Sequence, residues 1–187
     1  MITLEETIEF KETYPLSRIG KLEELLFFDI ETTGFSGEYS TLYLIGCTYY
    51  EEGHWKLIQW FADSLDSETE VLCTFFQFLQ KFSTVIHFNG DGFDIPYLLK
   101  RCRAHGLPFD FSGVKSLDIY KRIRPYRNLL GLPSMKQKAI EQFLGVDRTD
   151  EFSGGQLIEV YYEYLNTKDQ NLFHLLILHN ADDLKGM

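Results

Sequence analysis

The sequence lacks the features that mark membrane, secreted and zinc-binding proteins. Its three cysteines, Cys47, Cys73 and Cys102, are too few and too widely spaced for a disulfide framework or a zinc cluster. No apolar run approaches the roughly 18–20 residues that a membrane helix needs. The first ten residues have neither the basic start nor the apolar middle of a signal peptide. A Gly-rich phosphate loop of either common pattern is also missing. We therefore expect a cytoplasmic protein with no membrane contact.

The composition indicates a globular protein whose charge is unevenly distributed. Hydrophobic residues make up 44% of the 187 residues and charged residues 25%, and the net charge is −10. The segment 100–138 nevertheless contains ten Lys and Arg residues and only two acids. A local positive field of this kind can attract a phosphate backbone although the total charge is negative. Solvated helix faces are the alternative explanation.

The hydrophobic pattern predicts an α/β protein with a mixed sheet flanked by helices. Apolar runs that are rich in β-branched and aromatic residues predict strands, and spacings of three and four predict helices. We expect strands at 25–31, 41–50, 54–61, 83–88 and 114–118. We expect helices at 66–82, 94–105, 133–144, 156–165 and 169–185. The acidic residues 1–23 are predicted to be an N-terminal extension, and residues 24–187 a single domain.

Two acids lie side by side on the first predicted strand. Strand side chains alternate between faces, so Asp29 and Glu31 point the same way, about 7 Å apart, while Ile30 points into the core. Such a pair repels unless a cation or a shared proton offsets the charge. A pair that simply faces solvent at the end of the sheet is the other interpretation.

Further acids and an imidazole follow at the ends of later elements. Asp94 opens a helix after a strand and a Gly-containing loop, where it also suits a helix cap. His179 and Asp183 are four residues apart and share one helix face, whereas Asp182 points about 100° away and is expected in solvent. Four carboxylates with one imidazole suit Mg²⁺ or Mn²⁺.

These residues lie in motifs that resemble a known family. The segment Phe28–Gly34, FDIETTG, resembles the first motif of the DEDD 3′–5′ exonucleases, the DnaQ-like branch of the ribonuclease H-like fold. Asn89–Pro96 resembles their second motif, and Asn180–Asp183 resembles the end of their third. The segments 117–120 and 132–146 are similar to the narrower YprB-like group of predicted exonucleases.

The resemblance implies a fold and an activity. The fold is a ribonuclease H-like mixed central sheet whose second strand is antiparallel, with helices on both faces. The activity is metal-dependent 3′–5′ exonuclease hydrolysis at the 3′ end of single-stranded DNA or RNA. Two divalent ions, Mg²⁺ or Mn²⁺, are expected on the catalytic residues Asp29, Glu31, Asp94 and Asp183.

One departure from the family concerns the proton acceptor. In the tyrosine subgroup a tyrosine stands four residues before the last acid, and this chain has His179 there. In the histidine subgroup the histidine stands five residues before it, and residue 178 is Leu. The resemblance implies that His179 is the catalytic base, since an imidazole can accept a proton near neutral pH. The alternative is a catalytically inactive module of the same fold that binds nucleic acid or protein.

Overall fold

A mixed six-stranded sheet forms the centre of the protein. The computed structural model describes residues 1–9, 14–146, 148–150, 152 and 154–187. In this part of the chain the sheet has the order β1-β4-β3-β2-β5-β6. The strands are β1 Ile2–Ile8, β2 Leu25–Thr32, β3 Leu42–Glu51, β4 His54–Phe61, β5 Thr84–His87 and β6 Lys115–Asp118. The helices are α1 Glu68–Leu79, α2 Asp94–Ala104, α3 Ile119–Ile123, α4 Gln137–Leu144, α5 Gly154–Thr167 and α6 Gln170–Lys185.

The pairing of the strands confirms the predicted mixed sheet. The central strand β2 runs antiparallel to β3 and parallel to β5. Because β3 is the second strand after residue 24, the predicted antiparallel second strand is present. The β3–β4 hairpin turns at Glu52 and Gly53, which both have positive φ, and this backbone shape matches the twist of a tight hairpin.

The two faces of β2 pack against different parts of the protein. Leu26, Phe28 and Ile30 point into the larger core, which also receives side chains from α1, α2 and α5. Leu25 and Phe27 point to the opposite face, where side chains of α6 pack. Asp29 and Glu31 share this second face by strand alternation. The alternation therefore directs both acids towards α6.

The N-terminal segment differs from the prediction. The hydrophobic pattern predicts the first strand at Leu25, but Ile2–Ile8 forms β1 and pairs antiparallel with β4 at the sheet edge. This strand has one mostly exposed face and three glutamates in or beside it, so its apolar pattern is weak. The short helix α3 was also not predicted. The domain boundary at residue 24 stays a prediction.

Candidate active site

The strand β2 positions the first two acids of the site against α6. The Oδ2 atom of Asp29 accepts a hydrogen bond from Nδ2 of Asn180 at 2.9 Å. Asn180 is fully buried, and its Oδ1 accepts from Nε2 of Gln59 at 2.9 Å. Burial raises the pKa of Asp29, and the nearby charges of Asp183, Glu31 and Asp94 raise it further. The polar chain from Gln59 to Asp29 thus holds a half-buried carboxylate that is unfavourable in its charged form.

Asp94 reaches the same place from α2. It is the first residue of that helix, and the N-cap position belongs to Phe93, so the expected cap is displaced by one residue. Burial raises the pKa of Asp94 to about 7, although backbone hydrogen bonds at Asp94 and Ile30 act in the opposite direction. Asp29 and Asp94 line one cavity of about 700 Å³. Phe35 also lines this cavity, and it is 91% exposed to solvent.

The helix α6 contributes the imidazole and the last acid. The Nε2 atom of His179 lies 3.7 Å from Oε1 of Glu31 and 3.5 Å from Oδ2 of Asp183. Ligand atoms of these three residues all lie within 4.8 Å of one another, so they could hold a metal ion together. Burial is the main cause of the raised pKa of Glu31, with Asp183 as the next. The structure therefore brings together all five residues that were predicted for the site.

Residues that the sequence analysis missed complete the charge pattern. Nδ1 of His179 lies 2.5 Å from Oδ2 of Asp150, which also accepts from Nζ of Lys138 at 2.7 Å. Burial acts to raise the pKa of Asp150, but the hydrogen bonds from Lys138, Phe152 and His179 outweigh it and leave the pKa lowered. The segment that precedes α5 has no periodic pattern from which this aspartate could have been selected.

Arg148 is the second missed residue. Its Nη1 atom contacts Oδ1 of Asp183 at 2.6 Å and Oε2 of Glu141 at 2.8 Å. Burial acts to lower the pKa of the guanidinium, but the charges of Asp183 and Glu141 outweigh this effect and raise it. Arg148 thus neutralises one oxygen of Asp183, while Oδ2 of Asp183 faces His179.

Asp182 holds this segment in place, contrary to the prediction that it faces solvent. Its Oδ2 atom accepts hydrogen bonds from the backbone N–H groups of Thr149 and Asp150, at 2.8 and 2.9 Å. The side chain is consequently buried. The two neighbouring acids of α6 therefore make different contacts. Asp183 faces the site, whereas Asp182 anchors the segment that carries Arg148 and Asp150.

A second cluster of titratable residues lies at the ends of β5 and β6. Ligand atoms of His87, Asp91 and Asp118 lie within 4.8 Å of one another. However, Nδ1 of His87 accepts from the N–H of Gly90 at 2.9 Å, so the ring proton is on Nε2, which faces Ser116 at 2.8 Å. A protonated Nε2 cannot bind a metal. Asp118 caps α3 by accepting from the N–H of Lys121.

Comparisons with known proteins identify the family and the fold. A family model described as RNase_H superfamily matches residues 26–187. A DNA polymerase of Thermococcus litoralis is 33% identical over 93 residues, and DNA polymerase 1 of Aeropyrum pernix is 36% identical over 59 residues. These matches cover 45% and 32% of this chain, respectively, and only 6% of each polymerase.

A solved structure shows the same fold. The family B DNA polymerase from the hyperthermophilic archaeon Pyrobaculum calidifontis superposes with a TM-score of 0.70 at 18% sequence identity. The match covers 87% of this chain and 23% of the polymerase. No helix of the described residues is long and apolar enough to cross a membrane. The match over residues 26–187 confirms the ribonuclease H-like family that the motifs indicated, and the chain belongs to the RNase H superfamily.

Proposed function

We propose that the protein is a metal-dependent 3′–5′ exonuclease that removes nucleotides from single-stranded DNA or RNA. One observation carries the proposal: Asp29 of β2 and Asp94 of α2 line one cavity, and Asp183 of α6 lies close enough for its charge to raise the pKa of Asp29. Burial and mutual repulsion raise the pKa of Asp29, Glu31 and Asp94. The polarity of cleavage and the exonuclease class rest on the resemblance of the motifs to the DEDD family.

The carboxylates fit divalent cations. Asp29, Glu31, Asp94 and Asp183 offer only oxygen ligands, which suit Mg²⁺ or Mn²⁺. A raised pKa means that the charged carboxylate is unfavourable until a cation offsets it. When bound, two such ions would lower the pKa of a water molecule and offset the charge of the phosphate that is attacked.

The chain's own groups would orient the reactants and move the proton. Nε2 of His179 faces the carboxylates, so this atom is the proposed acceptor of the proton from water. Asn180 holds the Oδ2 atom of Asp29 in position. The exposed ring of Phe35 offers a face on which the terminal base can stack.

A non-catalytic binding module is the second candidate, and one contact favours it. Nη1 of Arg148 already forms an ion pair with Asp183 at 2.6 Å. A site that uses arginine as its permanent cation needs fewer metal ions. The same surface would then bind nucleic acid without cutting it.

The direct test measures cleavage of a 5′-labelled single strand. Single-stranded DNA and RNA would be incubated separately with the full chain and Mn²⁺, Mg²⁺ or EDTA. We expect a metal-dependent ladder that shortens from the 3′ end. Asp29→Asn should lower the rate by more than about 100-fold, since it removes a charged ligand. Asp66→Asn, an exposed acid outside the site, is the matched control and should leave the rate unchanged.

The outcomes separate the two candidates. Cleavage that is lost in EDTA and in Asp29→Asn supports the exonuclease and identifies its substrate. Binding of either strand without cleavage in any metal supports the binding module. Labelled fragments of scattered lengths at the earliest time points, without stepwise shortening from the 3′ end, would instead indicate an endonuclease and overturn the proposed class.

A further inference from the structure

A basic segment, residues 119–140, lies next to the carboxylate cavity. It includes α3, the short turn Arg124–Tyr126 and the start of α4. It contains no acid, and its six bases are Lys121, Arg122, Arg124, Arg127, Lys136 and Lys138. The rest of the chain is strongly acidic. The positive charge is therefore concentrated on one side of the site.

Two cavities adjoin along this segment. The larger one, of about 700 Å³, contains Asp29 and Asp94 together with Tyr120 and Met135. A second cavity of about 360 Å³ shares two of those residues. Its lining residues are Tyr120, Arg124, Pro125, Arg127, Asn128 and Met135. Tyr120 and Met135 thus stand between the carboxylates on one side and two arginines on the other.

The charges in the second cavity are available to a ligand. Lys121 and Lys138 are engaged by Asp91 and Asp150, respectively. Arg124, in contrast, has no ion pair with any residue that the structure describes. Arg127 makes one long hydrogen bond, at 3.5 Å, to the carbonyl of Pro133. Both arginines are exposed to solvent.

We propose that the second cavity is a phosphate-binding site for the nucleic-acid strand on the 5′ side of the bond that is cut. This inference rests on the proposed function, because it takes the strand's 3′ end to lie in the carboxylate cavity. The strand continues past Tyr120 and Met135, and its next phosphates reach Arg124 and Arg127. Guanidinium groups suit phosphate because their planar donors match two of its oxygens.

The aromatic side chains favour a single strand as the occupant. Tyr120 lies between the cavities, with its ring edge-on to Phe88 at 5.9 Å between centroids. Tyr126, in the turn that carries Arg124, is 55% exposed. Unpaired bases can stack on such rings, whereas the bases of a duplex are already stacked on one another. The combination of basic cavity and exposed tyrosine is therefore suited to single-stranded DNA or RNA.

The test compares a long and a short substrate in a double variant. The long substrate is a 5′-labelled decathymidylate, and the short one is bis(p-nitrophenyl) phosphate, which cannot reach the second cavity. Arg124→Ala with Arg127→Ala should raise KM for the decathymidylate at least tenfold and leave turnover of the short diester unchanged. Arg103→Ala with Lys115→Ala is the control, because it removes two exposed bases that line neither cavity.

Binding in EDTA provides a second readout that does not depend on hydrolysis. Fluorescence anisotropy would measure the affinity for labelled decathymidylate at several salt concentrations. Each lost phosphate contact should lower the slope of log K against log salt by about 0.7, so the cavity variant should lose about 1.4. The control variant should keep the slope of the unsubstituted protein.

Each outcome decides between the proposals. If the unsubstituted chain cleaves neither substrate but binds the strand, and the cavity variant loses that binding, the proposed hydrolysis fails and the phosphate site stands. The phosphate site is overturned if the cavity variant keeps the KM for decathymidylate and the salt slope of the unsubstituted protein. It is also overturned if the control variant shows an equal rise in KM and an equal loss of slope. Unchanged turnover of the short diester, or an unchanged near-ultraviolet circular dichroism spectrum, shows that the variant is folded.

Discussion

The Nδ1 atom of His179 lies 2.5 Å from the Oδ2 atom of Asp150, and both side chains are buried. A carboxylate at this distance accepts the Nδ1 proton and fixes the orientation of the ring. The atom that gains or loses a proton is then Nε2, which faces Glu31 and Asp183. Asp150 is therefore a positioning residue for the proposed base.

Removing this contact should lower turnover more than substrate binding. In Asp150→Ala we expect kcat to fall by 10–100-fold, as for other residues that orient a functional histidine, while KM changes less than about twofold. Asp150→Asn keeps an oxygen that accepts from Nδ1, so it should recover part of the loss. Nitrogen NMR of the His179 ring would show whether Nδ1 keeps its proton in each variant.

The control for Asp150 is Lys138→Ala, which removes a different partner of the same carboxylate. It should lower kcat much less than Asp150→Ala, because the contact to His179 remains. Equal losses in the two variants would mean that Asp150 only stabilises the local structure. A kcat unchanged in Asp150→Ala would contradict the positioning role.

A glycine on β3 allows α6 to approach the sheet beside Asp29. Gly46 pairs with Asp29 in the sheet, and a Cβ atom there would lie 1.9 Å from Oδ1 of Asn180. Gly46→Ala should therefore displace Asn180 from Asp29, lower the free energy of unfolding by about 1–3 kcal/mol and reduce activity. Chemical denaturation and the cleavage assay would measure both effects.

Gly154→Ala is the matched control for this substitution. A Cβ atom at Gly154 meets no atom within 4 Å, and the residue begins a helix. The free energy of unfolding of the Gly154→Ala variant should stay unchanged or rise slightly. A Gly46→Ala protein as stable and active as this control would show that the close approach of α6 is not required.

The sequence predicted the elements that have strong local patterns. The alternation around Phe28, Asp29 and Ile30 determined the strand and the face of each side chain, and the spacing of His179 and Asp183 determined a shared helix face. Both predictions used only neighbouring residues, and the structure agrees with them. The mixed sheet with an antiparallel second strand followed from the motif resemblance together with the succession of strands and helices.

The missed features depend on contacts between residues that are distant in the sequence. Asp182 was expected in solvent because a helix projection cannot show that the backbone of Thr149 covers its carboxylate. Arg148 and Asp150 lie in an irregular segment, where no period separates buried from exposed side chains. The strand β1 was missed because its pairing with β4 stabilises it more than its own apolar pattern does.

Arg148 should compete with metal ions for the site. Its ion pairs with Asp183 and Glu141 are largely buried, so Arg148→Ala removes the paired cation of two carboxylates, although Glu141 keeps its hydrogen bond from Gln137. We expect the metal-free variant to lose about 3–5 kcal/mol of stability. Mn²⁺ should then raise its Tm more than that of the unsubstituted protein, because a bound cation replaces the lost charge.

Thermal unfolding with EDTA and with Mn²⁺ would measure this difference. The exposed Arg18 provides the control variant, Arg18→Ala, which should respond to Mn²⁺ like the unsubstituted protein. An equal rise of Tm in Arg148→Ala and Arg18→Ala would show that Arg148 does not balance the charge of a cation site.

The buried His87 should make stability depend on pH independently of the metal site. Burial lowers the pKa of His87 and outweighs the charges of Asp118 and Asp91, which raise it. The unfolded chain then binds a proton at a higher pH than the folded protein does. The stability from this group is present above pH 6.5 and is lost as the pH falls towards the lower folded-state pKa, with a slope of up to about 1.4 kcal/mol per pH unit.

Urea unfolding in EDTA between pH 7.5 and 5 would isolate this effect. In His87→Asn the amide oxygen can still accept from the N–H of Gly90, but the side chain cannot be protonated. The variant should be less stable than the unsubstituted protein at pH 7.5, because a smaller side chain leaves space in the core. The difference in unfolding free energy between His87→Asn and the unsubstituted protein should narrow as the pH falls. For His54→Asn, at the exposed start of β4, the corresponding difference should stay constant. Parallel curves for His87→Asn and the unsubstituted protein would mean that His87 takes up its proton equally in the folded and unfolded states, which contradicts the effect of its burial.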